Sequence, residues 1–204
     1  MRIAFEVNGV LRDTIKKLES TYEKLMIEEL EVGEEEVSDD FKYEIVRPIN
    51  TEIIKDHFKF KSDEELYDFI YVENPMTIFG HAPSTEMNTF VSLDKIYKEL
   101  RDENEIVIVS DEFGKSKPST LFFLSKFGCE IEEVIFYNNK TIDKIFKDID
   151  VLVTCNTALI KEYKKWMKHM VLFSNEQNSS FEHDKKIYSL EEFINYYKNN
   201  ILNV

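Results

Sequence analysis

Five short apolar runs constrain the fold of this chain more than any other feature: Arg2 to Val7, Glu105 to Ser110, Glu133 to Tyr137, Val151 to Thr154 and His169 to Phe173. Each is bounded by polar turns, and most are followed by a segment whose apolar residues recur at helical spacing. Parallel strands need a long crossover, usually a helix, so this alternation predicts an α/β fold: a parallel, Rossmann-like sheet with helices on both faces. The helical stripes are Ile15, Leu18, Tyr22, Leu25 and Met26, then Leu121, Phe122, Leu124 and Phe127, then Leu159, Ile160, Tyr163 and Trp166. Each reads as the core-facing side of a helix. A last helix opens on Ser189 and Glu192, the spacing of a capping box, and continues through Phe193, Ile194, Tyr196 and Tyr197.

Residues 31–88 break the pattern. They include an amphipathic piece from Asp63 to Tyr71 and an interruption at Asn74-Pro75, so they read as a small helical cap inserted into an α/β core formed by residues 1–30 and 89–204. A chain of 204 residues that is 43% hydrophobic is long enough for one sizeable core.

Charge narrows the partners. Forty acidic side chains against 26 basic ones leave a net charge of −14, a field that repels nucleic-acid backbones and anionic lipid heads. The densest acidic block, Glu28 to Asp40, reads as a solvated loop or helix end. No run approaches the roughly 18 to 20 apolar residues that cross a bilayer, and the N-terminus lacks the apolar stretch of a signal peptide. The expectation is a protein that is not secreted, located in the cytoplasm or inside a viral particle. Cys129 and Cys155 suit reduced thiols, and His57, His81, His169 and His183 show no metal-ligand spacing.

The first run and its turn, Ile3-Ala4-Phe5-Glu6-Val7-Asn8-Gly9-Val10-Leu11-Arg12-Asp13-Thr14, resemble the opening motif of the haloacid dehalogenase (HAD) superfamily, a strand followed by Asp-x-Asp-Gly-Val-Leu. The resemblance extends along the chain. Ser110 ends the second run, where the family places a phosphate-binding hydroxyl. Asn138-Asn139-Lys140-Thr141 is similar to the Arg-Asp-Lys-Thr element of the 5′(3′)-deoxyribonucleotidase branch, and Thr154-Cys155 stands where that branch has a magnesium-anchoring Asp-Asp pair. In the family the first Asp of the motif attacks phosphorus and the second moves a proton. Here those positions are Glu6 and Asn8.

Against that resemblance the chemistry looks dismantled. Glu6 carries an extra methylene, and a displacement of about 1 Å can cost on the order of 10²-fold in rate. An amide at Asn8 neither protonates a leaving group nor activates water. Thr154 and Cys155 remove the carboxylates that a hard cation prefers. The resulting expectation is a catalytically inactive, pseudo-deoxyribonucleotidase module with Glu6, Asn8, Ser110, Lys140, Thr154 and Cys155 as vestigial positions and no cofactor. It would serve as a structural or binding subunit among protein partners in a larger assembly, with a phage virion's tail or neck as the setting, since nucleotidases of this branch occur in phages. Phe41, Tyr43, Ile45, Phe58, Phe60, Tyr71 and Phe79 would supply an apolar docking surface on the cap.

Other readings stay open. One is a weak magnesium-dependent phosphatase or 5′-nucleotidase that attacks through Glu6. Another is a nucleotide sensor that holds an anion with Ser110, Lys140 and the amides around Gly9 without turnover. For Asn8-Gly9 itself, a tight β-hairpin competes with the strand-to-helix loop. Asp13 reads as a helix cap, and Lys115 and Lys117 read as a solvated loop.

Overall fold

The computed structural model describes residues 1–32, 45–46, 49, 51–165 and 167–202. Every expected run forms a strand: β1 (Arg2–Glu6), β2 (Glu105–Ser110), β3 (Val134–Phe136), β4 (Val151–Thr154) and β5 (His169–Phe173), joined by a two-residue β6 (Lys186–Ile187). All pair in parallel, in the order β3-β2-β1-β4-β5-β6. The chain therefore winds outward from β1 in one direction and then, from β4, in the other. In such a sheet the ligand crevice lies beyond the carboxyl ends of the two central strands. Glu6 ends β1 and Thr154 ends β4.

Alternation along each strand sorts the core into two layers, as a period of two requires. Ile3, Phe5, Ile108, Val153 and Val171 face one side, where α3 (Thr89–Leu100), α4 (Ser116–Lys126) and α7 (Phe193–Tyr197) pack through Ile96, Phe123 and Phe193. Ala4, Val107, Val109, Leu152 and Leu172 face the other, covered by α5 (Ile142–Phe146) and α6 (Thr157–Tyr163) through Phe146 and Ile160. Three strands differ in detail from expectation. β1 stops one residue short of Val7, β3 is shorter than the apolar run, and β6 has too few residues to announce itself.

The first helix, α1 (Thr14–Val32), and the helical pieces that follow it share a separate apolar cluster. These pieces are Thr51–His57, α2 (Asp63–Tyr67), and two wide-turn segments, Asp68–Glu73 and Met76–Gly80. Leu18 and Tyr22 of α1 pack there on Phe58, Phe69 and Ile78. Ser62 caps α2 by accepting a bond from the Glu65 amide at 3.1 Å.

Several sequence expectations need correction at this level. Within α4, Phe123 and Leu124 are buried, whereas Leu121 and Phe122 are exposed. Four consecutive apolar residues span more than one helix face, so they cannot all point inward. Ser189 makes no capping bond; Glu192 alone reaches back, to the Tyr188 amide at 2.9 Å. Of the residues expected to form an apolar docking surface, the five that are described turn inward: Ile45, Phe58 and Phe79 are buried, and Phe60 and Tyr71 pack against the same cluster. Phe41 and Tyr43, residues 33–40 of the acidic block, and Trp166 lie outside the described residues. Among the described residues no helix is long and apolar enough to cross a membrane.

Candidate active site

The loop that leaves β1 is a tight turn, not a hairpin. Leu11 and Arg12 both donate their amides to the Val7 carbonyl, at 3.0 and 2.9 Å, and the Gly9 amide reaches the Arg12 carbonyl at 2.8 Å. Gly9 has φ 74°, a region that costs a residue with a Cβ. A Cβ built there would also overlap the Cys155 sulfur. Gly9→Ala is therefore expected to cost about 2 to 3 kcal/mol in chemical denaturation, through backbone strain plus displacement of Cys155.

Glu6 is 2% exposed. Its carboxyl accepts a hydrogen bond from the Tyr137 hydroxyl at 2.7 Å and another, very short, from the Thr154 hydroxyl. Burial raises its pKa to about 8, repulsion from Asp111 adds to the rise, and the two hydroxyls oppose it. Glu6 is therefore mostly protonated at neutral pH. Asp111, one residue past the end of β2, is exposed. The protein around it, with a smaller push from Glu112, raises it to about 6 against a hydrogen bond from Asn8. Both carboxyls are thus held above the ordinary carboxylate range, Glu6 the more strongly. Burial, with Glu6 and Asp111 nearby, holds Cys155 as a neutral thiol that donates to the Asn8 carbonyl at 3.3 Å.

Behind the loop sits a fully buried cation. The Arg12 guanidinium donates to the side chains of Asn8 (2.6 Å), Thr120 (2.6 Å) and Thr14 (3.1 Å), to the Phe79 carbonyl (3.1 Å), and through a very short contact to Glu112. Both members of the Arg12 and Glu112 pair are inaccessible to solvent. An arginine has no acceptor, so it fixes the Asn8 amide with its oxygen turned inward. Thr14 donates to that same oxygen at 2.7 Å, and the Asn8 nitrogen is left to donate to Asp111 at 2.9 Å.

Glu6, Asn8, Thr154 and Cys155, oriented as they are, do not supply the donors a magnesium ion prefers. Magnesium requires oxygen donors in near-octahedral geometry. At this site Asn8 presents N–H groups, Glu6 is largely protonated, and Thr154 and Cys155 point a hydroxyl at Glu6 and a thiol at a carbonyl. Among the described residues, no group of three or more His, Cys, Asp or Glu side chains could hold a metal.

Above the floor lies a cavity of about 690 Å³ whose wall includes Glu6, Asn8, Asp13, Asp111 and Cys155 and, from α1 and the helical pieces after it, Leu18, Tyr71 and Phe79. The site thus gathers Glu6, Asn8, Thr154 and Cys155, as the sequence reading required. It does not gather Ser110 and Lys140. Ser110 is buried with its hydroxyl unpartnered, and Lys140 is exposed; neither lines the cavity. Lys115 turns toward the Val72 carbonyl, and Lys117 lies over the Phe136 ring. Asp13 caps α1 as expected, accepting from the Lys16 amide at 3.1 Å. Sequence reasoning missed Arg12, Tyr137 and Glu112, and gave Asp111 no role. A charge in the apolar run Val10-Leu11-Arg12 was the available signal, because a buried arginine demands a partner.

No protein-family model matches the sequence, and no curated protein does. Solved structures do match. A haloacid dehalogenase-like hydrolase from Burkholderia xenovorans LB400 superposes with a TM-score of 0.55 at 14% identity, covering 95% of this chain and 94% of that one. The HAD-hydrolase YfnB from Bacillus subtilis, in a magnesium-bound form, gives 0.58 at 14% identity over 100% and 98%. The fold is that of the HAD-like hydrolases. A haloacid dehalogenase-like family protein from Streptococcus pneumoniae gives 0.57 at 9% identity over 96% and 97%.

The expectation of a non-enzyme is corrected by these findings. All three structures carry the name hydrolase, and each superposes over nearly the full length of both chains. The sequence argument counted only the losses at Glu6, Asn8, Thr154 and Cys155. It gave no role to Asp111, which lines the same cavity as Glu6.

Proposed function

We propose that the chain is a hydrolase that cleaves an uncharged ester bond of a small molecule, with Glu6 and Asp111 as an acid and base pair. The observation that carries this reading is that Glu6, buried and bonded to Tyr137 and Thr154, and Asp111, bonded to Asn8, line one cavity in unlike surroundings, with Glu6 raised the more strongly. Environments that push two titratable groups apart assign their roles. Asp111, ionised at neutral pH, takes a proton from water while the water oxygen attacks the ester carbon. Glu6, still protonated, gives its proton to the leaving oxygen. Acid and alcohol depart, Asp111 is left protonated and Glu6 ionised, and exchange with solvent resets both. Asn8 steadies Asp111, and Arg12 fixes Asn8. A phosphate monoester suits the floor less well, because neither Ser110 nor Lys140 lines it.

Phosphomonoester hydrolysis with added magnesium is the second reading. The near full-length likeness to a magnesium-bound HAD-hydrolase favours it. An aryl butyrate and an aryl phosphate, each assayed with EDTA and with magnesium, separate the two. The expected result is butyrate turnover insensitive to EDTA, with a bell-shaped pH profile whose limbs fall near 6 and 8. Asp111→Asn and Glu6→Gln should each lower kcat by about 10²-fold. Turnover of the phosphate alone, dependent on magnesium, would replace this reading with the second. No turnover of either ester, or turnover untouched by both substitutions, would overturn it.

A further inference from the structure

The cavity wall has two unlike parts. Ile15 and Leu18 of α1, with Ile70 and Ile78 of the helical pieces after it, present hydrocarbon. The one aspartate among those pieces that lines the space, Asp63, is paired with Lys55 at 3.2 Å. The other part comes from the segments that follow β4 and β5 and consists of Asn156, Ser174, Asn175, Glu176 and Gln177.

Two of these amides are locked as donors. The Asn156 side-chain oxygen accepts from the Ala158 and Leu159 amides at 3.0 and 3.3 Å, and the Asn175 oxygen accepts from the Asn178 amide at 3.1 Å. With each oxygen consumed by backbone, each side chain can only donate, and among the described residues neither Nδ2 group has a hydrogen-bond partner. Asn178 makes this edge rigid: its nitrogen donates to the carbonyls of Cys155 at 3.1 Å and Phe173 at 2.9 Å, and its oxygen accepts from the Asn175 amide at 2.9 Å. The Asn175 Nδ2 also lies 3.9 Å from where a Cβ on Gly9 would stand, next to the loop that carries Asn8. Fixed donors thus sit beside an exposed carboxylate acceptor, Glu176, and a serine hydroxyl. Hydroxyl groups match such a mixture because each both donates and accepts. Among the described residues no Lys, Arg or His lines the space, so an anion finds no countercharge there.

We propose that the cavity takes an acyl ester of a polyhydroxylated alcohol such as a sugar, with the acyl chain along Ile15, Leu18 and Ile70 and the hydroxyls against Asn156 and Asn175. This rests on the hydrolase reading and deepens it, since the ester bond joining the two parts of such a molecule would lie at the floor with Glu6 and Asp111. Binding tests it separately from turnover.

The probes are hexyl glucoside, which has no ester bond, and its two halves, methyl glucoside and ethylene glycol monohexyl ether, each titrated into the intact protein by calorimetry below any micellar concentration. Hexyl glucoside should bind at least about tenfold more tightly than either half, because only it buries a chain and bonds the amides at once. Asn156→Asp and Asn175→Asp keep the capping oxygens but replace the N–H donors with acceptors. Together they should bring hexyl glucoside to within about twofold of the ether. Ile15→Asn should weaken hexyl glucoside and the ether alike. Hexyl glucoside no tighter than either half, or untouched by the two aspartates, would overturn the proposal. Glucoside binding without turnover of hexanoyl glucose would sustain the ligand class and overturn the hydrolase reading, whereas aryl butyrate turnover without glucoside preference would do the reverse.

Discussion

Arg12→Met is expected to be the most damaging single substitution in this chain, costing about 4 kcal/mol or more in urea unfolding. The change removes five hydrogen bonds and leaves the Glu112 carboxylate inside the protein without its cation. Breaking one side of a buried pair is costly because the surviving charge has already lost its water. Glu112 keeps one donor, the Thr120 hydroxyl. The loss also frees the Phe79 carbonyl and takes one of two donors from the Asn8 oxygen, so the helical pieces after α1 and the loop after β1 loosen together. Arg12→Met combined with Glu112→Leu should recover at least about half of the loss, since no buried charge then remains. If Arg12→Met cannot be purified folded, Glu112→Gln, which keeps the shape, gives the same sign at a smaller size. A loss under about 1 kcal/mol for Arg12→Met would show that the pair contributes nothing to the fold.

The sheet was readable because its strands are buried on both faces and so appear as nearly unbroken apolar runs. β2, β4 and β5 have the boundaries that hydrophobicity alone suggests, and β1 is one residue shorter. β6 was invisible because two residues carry no period, and its register depends on β5 alone. The orientation of α4 was misread for a related reason. Its apolar run is longer than one face, and only the packed neighbours decide that Phe123 points in while Phe122 meets the His81 ring outside.

The site was legible as a set of positions but not as a network. Local spacing placed Glu6, Asn8 and Thr154 together because each lies at or just past the carboxyl end of a central strand. It could not pair Arg12 with Glu112, which lies 100 positions away, nor bring the Tyr137 hydroxyl to Glu6 across 131 positions. Lys140 failed for the opposite reason. A motif-like spacing put it near the site, but the turn holds it through its own amide to the Asn138 side chain at 2.9 Å, and it stays exposed. Contacts of this kind depend on how the sheet stacks, and sequence neighbourhood contains no record of them.

Glu6→Gln should stabilise the protein at neutral pH while lowering its kcat about 10²-fold. The folded state holds the Glu6 proton up to about pH 8, whereas an unfolded chain releases it near the ordinary value of 4.5. Between these limits the native state binds more protons than the unfolded one, so stability falls as pH rises. Below 4.5 both states are protonated and the penalty is absent; above 8 both are ionised and it is fully developed. Each pH unit within the window costs up to about 1.4 kcal/mol, so the burden at pH 7 is on the order of 3 kcal/mol. Glutamine copies the protonated acid: its oxygen can accept from Tyr137, and its amide can donate to the Thr154 oxygen. In a chain of this size such a gain corresponds to a rise in Tm of about 6 to 12 °C at pH 7, shrinking toward zero near pH 4.5. Thermal unfolding of both proteins across pH 4.5 to 8 checks the sign and the slope together. A Tm gap that stays constant with pH, or a destabilised variant at pH 7, would show that Glu6 is ionised in the folded protein. The same result would remove the general acid from the proposed reaction, because a carboxyl that has already lost its proton has none to give the leaving oxygen.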